Sequence, residues 1–321
     1  MATQIDATAG TGSRGFERPA GGSGGRGRGS GLTPYLFLAP YLVLFTVFVL
    51  VPALYGLWIS LHTWDFLLPN KPFVGLQNYL NLMTRETAVG DSFWQSMGAT
   101  GKFTLYSVPL LLVIPLLIAL VLNKKFPGRT FFRAVFFAPY VLGVAVIGLL
   151  WRFLLDPTAG LLNYMLNLLP WVDGNIPWTT ATPWVWVSLV AATVWWTLGF
   201  NAVIYLAGLQ DISLDLYEAA SVDGAKTLQK FFYITLPSLK RVLLLVTTLT
   251  VLASANMFGQ ALLITQGAPG TETRTAIMYI AEEGLGNFRM GNAAAMSYIL
   301  ALFLILASLA IFAFFRRFGE D

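Results

Sequence analysis

Six stretches of this 321-residue chain contain no Asp, Glu, Lys, Arg or His: Tyr35 to Ile59, Phe103 to Asn123, Ala134 to Trp151, Pro183 to Gln210, Val242 to Thr271 and Met290 to Phe315. Each can hold a helix of about 20 residues, the length that crosses a hydrocarbon core. In such a core every backbone N–H and C=O must find its partner inside the protein, which a helix does by itself. The expected fold class is therefore an all-α integral membrane protein with six transmembrane helices. A composition of 56% hydrophobic and 11% charged residues lies outside the soluble class and agrees.

Pro40, Pro52, Pro109, Pro115 and Pro139 lie within or near these runs. Neighbouring helices in a bundle satisfy the backbone groups that prolines free, so kinked spans are expected. The first run is longer than the roughly 7 to 15 apolar residues of a cleavable signal, so it reads as a retained span. Before it, residues 1–32 are rich in Gly, Ser and Arg and offer almost nothing that packs. That segment is expected to be a disordered cytoplasmic tail, with residues 33–321 forming the membrane domain.

Orientation follows from the Lys and Arg distribution. One side holds Arg14, Arg18, Arg26, Arg28, Lys124, Lys125, Arg129, Arg133, Lys226, Lys230, Lys240, Arg241, Arg316 and Arg317. The other has Lys71, Arg85, Lys102, Arg152, Arg274 and Arg289. The positive-inside rule places both termini and the loop containing Lys226 in the cytoplasm.

That loop, at about 211–237, is the most informative polar stretch. Asp215 and Glu218 fit a capping box, and Ala219, Ala220 and Ala225 are good helix formers. Gly224 is expected to end this short helix or turn the chain, and Pro237 to open the next span in its first turn. The result is an amphipathic elbow that needs a partner surface.

Glu218, Ala219 and Ala220, then Gly224, then Ile234, Leu236 and Pro237 fix seven positions over 20 residues. This resembles the EAA loop of ABC importer permeases. The fuller EAASVDGA and FFYITLP are similar to the carbohydrate branch, the maltose-type, MalF-like permeases. The segments FVGLQNYLNL at 73–82 and ITQGAPGTET at 264–273 also resemble parts of that branch; read as plain chemistry, they are an interfacial amphipathic helix and a turn. The resemblance covers the chain from about residue 33 onward. It implies a type I importer permease fold and a coupling helix docked on a cytoplasmic ATPase subunit, with Glu218, Ala219, Ala220, Asp223, Gly224 and Ala225 at the contact. It further implies a second homologous permease, two ATPase subunits that bind ATP and Mg, and an extracytoplasmic binding protein.

Several absences narrow the function. No GxxxxGK[ST] exists, and the GAKT at 224–227 lacks both the glycine lead and the GK pair, so ATP must be hydrolysed by partners rather than by this chain. There is no cysteine, and His62 stands alone, which leaves no metal cluster and no thiol chemistry. Glu282, Glu283 and Asp156 have no His or Cys beside them, and the spans hold no titratable group for an intramembrane enzyme. The same lack disfavours a proton-coupled secondary porter, although sodium sites built from carbonyls and hydroxyls keep that alternative open. The positive charge reflects where Lys and Arg sit relative to the membrane rather than affinity for nucleic acid, and membrane lipid is the expected surroundings of the spans.

What the spans offer is neutral polar and aromatic chemistry. Thr193, Trp195, Trp196, Thr197, Phe200 and Asn201 stand on the fourth; Thr250, Ser254, Asn256, Met257 and Gln260 stand on the fifth. Hydroxyls and amides suit sugar hydroxyls, and aromatic faces suit sugar rings. The resemblance implies that these portions of the two spans line the substrate site, with Thr193, Trp195, Trp196, Thr197, Phe200, Thr250, Ser254 and Met257 the matching positions. Asn256 joins them on chemical grounds, as a hydroxyl contact. Trp195 and Trp196 equally fit an interfacial belt, and Asn256 and Gln260 interhelical hydrogen bonding. The reading is a permease of an ATP-driven sugar importer, with glycerol-phosphate import as the alternative within the class.

Overall fold

A computed structural model describes residues 33–171 and 174–317, so the expected disorder of residues 1–32 lies outside the described residues. The chain divides into two compact units, Met1–Ala53 and Leu54–Asp321. The first contributes most of helix α1, Tyr35–Ser60. The second holds α2 (Gln77–Met83), α3 (Ala88–Asn123), α4 (Arg129–Val141), α5 (Val144–Leu154) and α6 (Leu161–Asn167). There follow α7 (Trp184–Gln210), α8 (Leu214–Val222), α9 (Thr227–Ser238), α10 (Lys240–Ala255), α11 (Ala276–Ala281) and α12 (Met290–Arg317). Among the described residues there is no β-strand, only the isolated bridges His62–Phe73 and Asp65–Arg289.

Four helices, α1, α3, α7 and α12, are long and apolar enough to cross a membrane alone, and the count reaches six when two bent pairs are each taken as one span. The expected third span is broken: α4 and α5 meet at 97° across Leu142 and Gly143. Pro139 has no N–H to give the preceding turn, and Leu142 and Gly143 are extended. The expected fifth span, Val242 to Thr271, is shorter than its apolar run. Helix α10 ends at Ala255, and after a break the chain makes one π-helical turn at Ala261–Thr265. Helix α3 exceeds its expectation in the other direction, because Ala88 to Lys102 continues it past the end of the uncharged run.

Helix α7 is the centre of the second unit. Its Val185, Leu189 and Ala192 pack on Phe103 and Leu111 of α3 and on Met257 and Ile264. Nearer its C-terminal end, Tyr205 and Leu209 pack on Ala119 of α3 and Val246 of α10. Since lipid tails are as apolar as leucine, such contacts depend on close fit. Gly199 shows how close: a Cβ there would lie 2.3 Å from the Phe136 carbonyl oxygen of α4.

Prolines are accommodated by local changes of hydrogen bonding. Pro115 leaves the Leu111 carbonyl without its usual donor, and the Asn201 amide of α7 donates to that oxygen at 3.0 Å. Asn201 also donates to Thr250 Oγ1 at 3.2 Å, and Ser107 Oγ to Ser254 Oγ at 3.2 Å. These buried links tie α3, α7 and α10 together.

Candidate functional site

The expected substrate residues divide between places. Thr193 is buried and donates to the Leu189 carbonyl, and Thr197 repeats this one turn later on the Thr193 carbonyl. Thr197, Phe200 and Thr250 meet around a cavity of 110 Å³, together with Tyr140, Asn201 and Leu249. Tyr140 stacks on Phe200 with ring centroids 4.8 Å apart and 19° between planes. Trp196 lies beside this pair, 6.4 Å from Tyr140, and its indole N–H donates to the Leu142 carbonyl at 3.0 Å.

That last bond locates the site in the fold. Non-helical backbone at membrane depth persists where protein satisfies it or where it lines a wet cavity. The α4–α5 break has the first feature, since Trp196 supplies a donor to the Leu142 carbonyl, and Tyr140 in the last turn of α4 lines the cavity beside it.

The remaining expected residues stand elsewhere. At about 100° per residue, Trp195 lies roughly 200° around α7 from Thr193. It lines a separate 810 Å³ groove with Tyr106, Trp186 and the Lys102–Glu272 ion pair, and packs edge-on against Trp151 at 5.9 Å. Met257 is buried in the core and Ser254 is held by Ser107, while Asn256 is exposed at the end of α10 and donates to the Leu252 carbonyl. Gln260 is buried beyond the break. Tyr140 belongs to the cavity without having been expected there; the signal available was its place after Pro139 and just before Gly143.

The elbow is built as a closed corner. Its cap differs from expectation: Ser213, not Asp215, caps α8, and the Ser213 hydroxyl accepts from the Asp215 N–H. At the other end Gly224 has φ +74°, with Ala225 N–H donating to the Ala220 carbonyl at 2.8 Å and Gly224 N–H to the Ser221 carbonyl at 3.1 Å. This is a Schellman motif, which needs a residue that adopts the left-handed conformation freely. Tyr217 bridges to Thr235 at 2.9 Å and Lys230 donates to Ser221, so α8 is braced against α9. Pro237 departs from the expected place, sitting in the last turn of α9 before a 70° bend into α10. A π-helical turn at Phe231–Thr235 precedes it.

The other face of α8 is open. Glu218 is exposed, as are Asp223 and Gly224, and Leu214 and Val222 project beside them at 73% and 89% exposure. Among the described residues Glu218 forms no ion pair within 4.0 Å.

Residues 100–320 match the family described as binding-protein-dependent transport system inner membrane component. The chain belongs to that family. It is a multi-pass inner-membrane permease. It is 34% identical over 289 residues to the trehalose/maltose transport system permease protein MalF of Thermococcus litoralis, covering 89% of this chain and 94% of the relative. It is 32% identical over 295 residues to the sn-glycerol-3-phosphate transport system permease protein UgpA of Agrobacterium fabrum, covering 90% and 95%. Its fold is similar to a chain of a solved bacterial ABC transporter involved in import of the acidic polysaccharide alginate, with TM-score 0.75, 22% identity, and 89% and 96% coverage.

Proposed function

We propose that this permease moves a neutral sugar or oligosaccharide delivered by an extracytoplasmic binding protein, as one of two homologous permease subunits driven by two cytoplasmic ATPases. The observation that carries the substrate class is the Tyr140–Phe200 stack beside Thr197, Thr250 and Asn201. An aromatic face next to hydroxyl and amide groups, with no charged side chain at the cavity, matches sugar chemistry. At 110 Å³ the cavity is below the roughly 300 to 1,000 Å³ of complete ligand sites, which fits one wall of a path completed by the second permease. The maltose-type relative points the same way. The glycerol-phosphate relative favours a second reading, against which stands the absence of a cation at this cavity among the described residues.

In this reading Glu218, Ala219, Ala220, Asp223, Gly224 and Ala225 form the surface that meets an ATPase subunit, where ATP and Mg are bound. The cytoplasm lies on the elbow side, a placement supported by the concentration of Lys and Arg there. Closure of the ATPases moves the elbow and switches the path between its inward and outward openings.

The test is sugar-stimulated ATP hydrolysis by the reconstituted complex with its binding protein, compared for Tyr140→Ala, Phe200→Ala and Trp195→Ala. The first two variants are expected to assemble, keep basal ATPase activity and lose most sugar-stimulated uptake, while Trp195→Ala keeps it. Stimulation by glycerol phosphate but by no sugar would replace the substrate class. Loss through Trp195→Ala alone would move the path to the groove beside Trp186.

A further inference from the structure

At the elbow end of the second unit, a 720 Å³ cavity opens between the end of α7, the start of α8, the α9–α10 corner and the last turns of α12. Among the described residues, three cations line it, Lys240, Arg241 and Arg316, and one acid, Asp211. Below them the wall is apolar, with Leu244, Phe312 and Phe315. Lys240 and Arg241 occupy the first turn of α10, where the helix macrodipole already presents partial positive charge, so the local field calls for an anion. Arg316 lies in the last turn of the sixth span. The cations therefore sit where two membrane helices end, with apolar side chains about one turn deeper.

We infer that this cavity is a binding site for an anionic phospholipid, its phosphate held by Lys240, Arg241 and Arg316 and its acyl chain lying along Phe312 and Leu244. A soluble anion would use the cations but not the apolar wall. A zwitterionic lipid would meet an excess of positive charge. Basic pockets between helices at the cytoplasmic membrane surface are suited to such headgroups, each cation contributing about fivefold in affinity. The site joins the elbow to the sixth span, because Ser213 and Leu216 share the cavity with Phe315. A lipid seated there contacts the corner that the proposed function assigns to coupling. The inference itself rests only on the membrane placement of the spans, not on the sugar reading.

The experiment is native mass spectrometry of the full chain, delipidated in detergent and titrated with dioleoyl phosphatidylglycerol or dioleoyl phosphatidylcholine. Wild type is expected to prefer phosphatidylglycerol. Arg241→Gln and Arg316→Gln should each weaken it by about fivefold, and the triple variant with Lys240→Gln should bind both lipids equally. The charge-retaining set Lys240→Arg, Arg241→Lys and Arg316→Lys should keep the preference, as should Lys71→Gln with Arg85→Gln at the other end. Equal binding of the two lipids by wild type overturns the proposal. So does a preference that survives in the triple Gln variant, or one that is lost in the charge-retaining set or in the Lys71/Arg85 pair. Displacement of the lipid by millimolar inorganic phosphate would assign the cations to a soluble anion instead.

Discussion

The two ends of the molecule treat their charges differently. At the end away from the elbow, every cation but Arg152 is engaged by this chain's own groups: Lys102 pairs with Glu272 at 2.7 Å, Arg274 with Glu282 at 3.4 Å and Arg289 with Glu283 at 3.7 Å. Lys71 and Arg85 lie over the rings of Trp64 and Trp94. At the elbow end, Lys124, Lys125, Arg129, Lys226, Lys240 and Arg241 form no ion pair among the described residues, and neither do Asp215, Glu218 and Asp223. Acids and bases stand close in sequence there without meeting. An end that satisfies itself is finished; an end that leaves both signs open is shaped for something outside the chain.

The sharpest way to break this comparison is to invert it. Single cysteines at Thr227 and Asn175, on a chain with no other cysteine, should differ completely in intact cells. An impermeant thiol reagent added outside is expected to label only the second. Label at 227 would exchange the two ends and remove the coupling assignment.

Next in size is Glu218→Ala. Losing a charge-assisted contact of about 1.5 to 3 kcal/mol should lower ATPase-subunit affinity ten- to hundredfold in a pull-down of the purified complex. An unchanged pull-down would mean that the open acids of the elbow serve only solvation. Gly224→Val should cost the corner about 1 to 2 kcal/mol, or roughly tenfold in coupled ATPase activity, because a side chain at φ +74° is strained. Gly224→Asn should lose much less, since Asn tolerates that conformation. Equal losses in the two variants would point to the missing side chain, rather than the backbone, as the requirement.

The smallest effect is expected at the finished end. Lys102→Met breaks a pair whose side chains are 50% and 34% exposed, and so should change thermal stability by no more than about 1 kcal/mol and leave ATPase binding untouched. A loss of complex formation in this variant would show that both ends dock partners.

How far the sequence revealed this molecule depended on whether the signal was periodic or local. Uncharged runs report length and polarity, so six spans were legible from them. They are silent on direction: nothing in the hydropathy of Ala134 to Trp151 marks a 97° turn, although Pro139 signals a kink. The apolar residues after Ala255 hid the end of α10 for the same reason. At the elbow two capping residues compete, and the Asp215–Glu218 spacing drew attention from Ser213, whose hydroxyl makes the bond. Gly224 was legible because few residues other than glycine suit that turn. In the substrate region, the family resemblance and side-chain chemistry together grouped Trp195 with Thr193, whereas the helical period separates them. Tyr140, on another run, is brought in by the break.

The corner between α8 and α10 has mechanical consequences. A joint whose first arm ends in two backbone bonds at Gly224, and whose arms are pinned by Tyr217–Thr235 and Lys230–Ser221, has little slack. Leu239, fully buried at the 70° bend, fixes the pivot. A displacement of α8 is therefore not absorbed locally but turned through the corner into the foot of α10. The far part of that helix holds Thr250, at the cavity, and Ser254, against α3. On the proposed function the same stiffness works in reverse: a shift at Thr250 would tilt the exposed face around Glu218, and one rigid crank would report the state of the path to the surface outside the membrane.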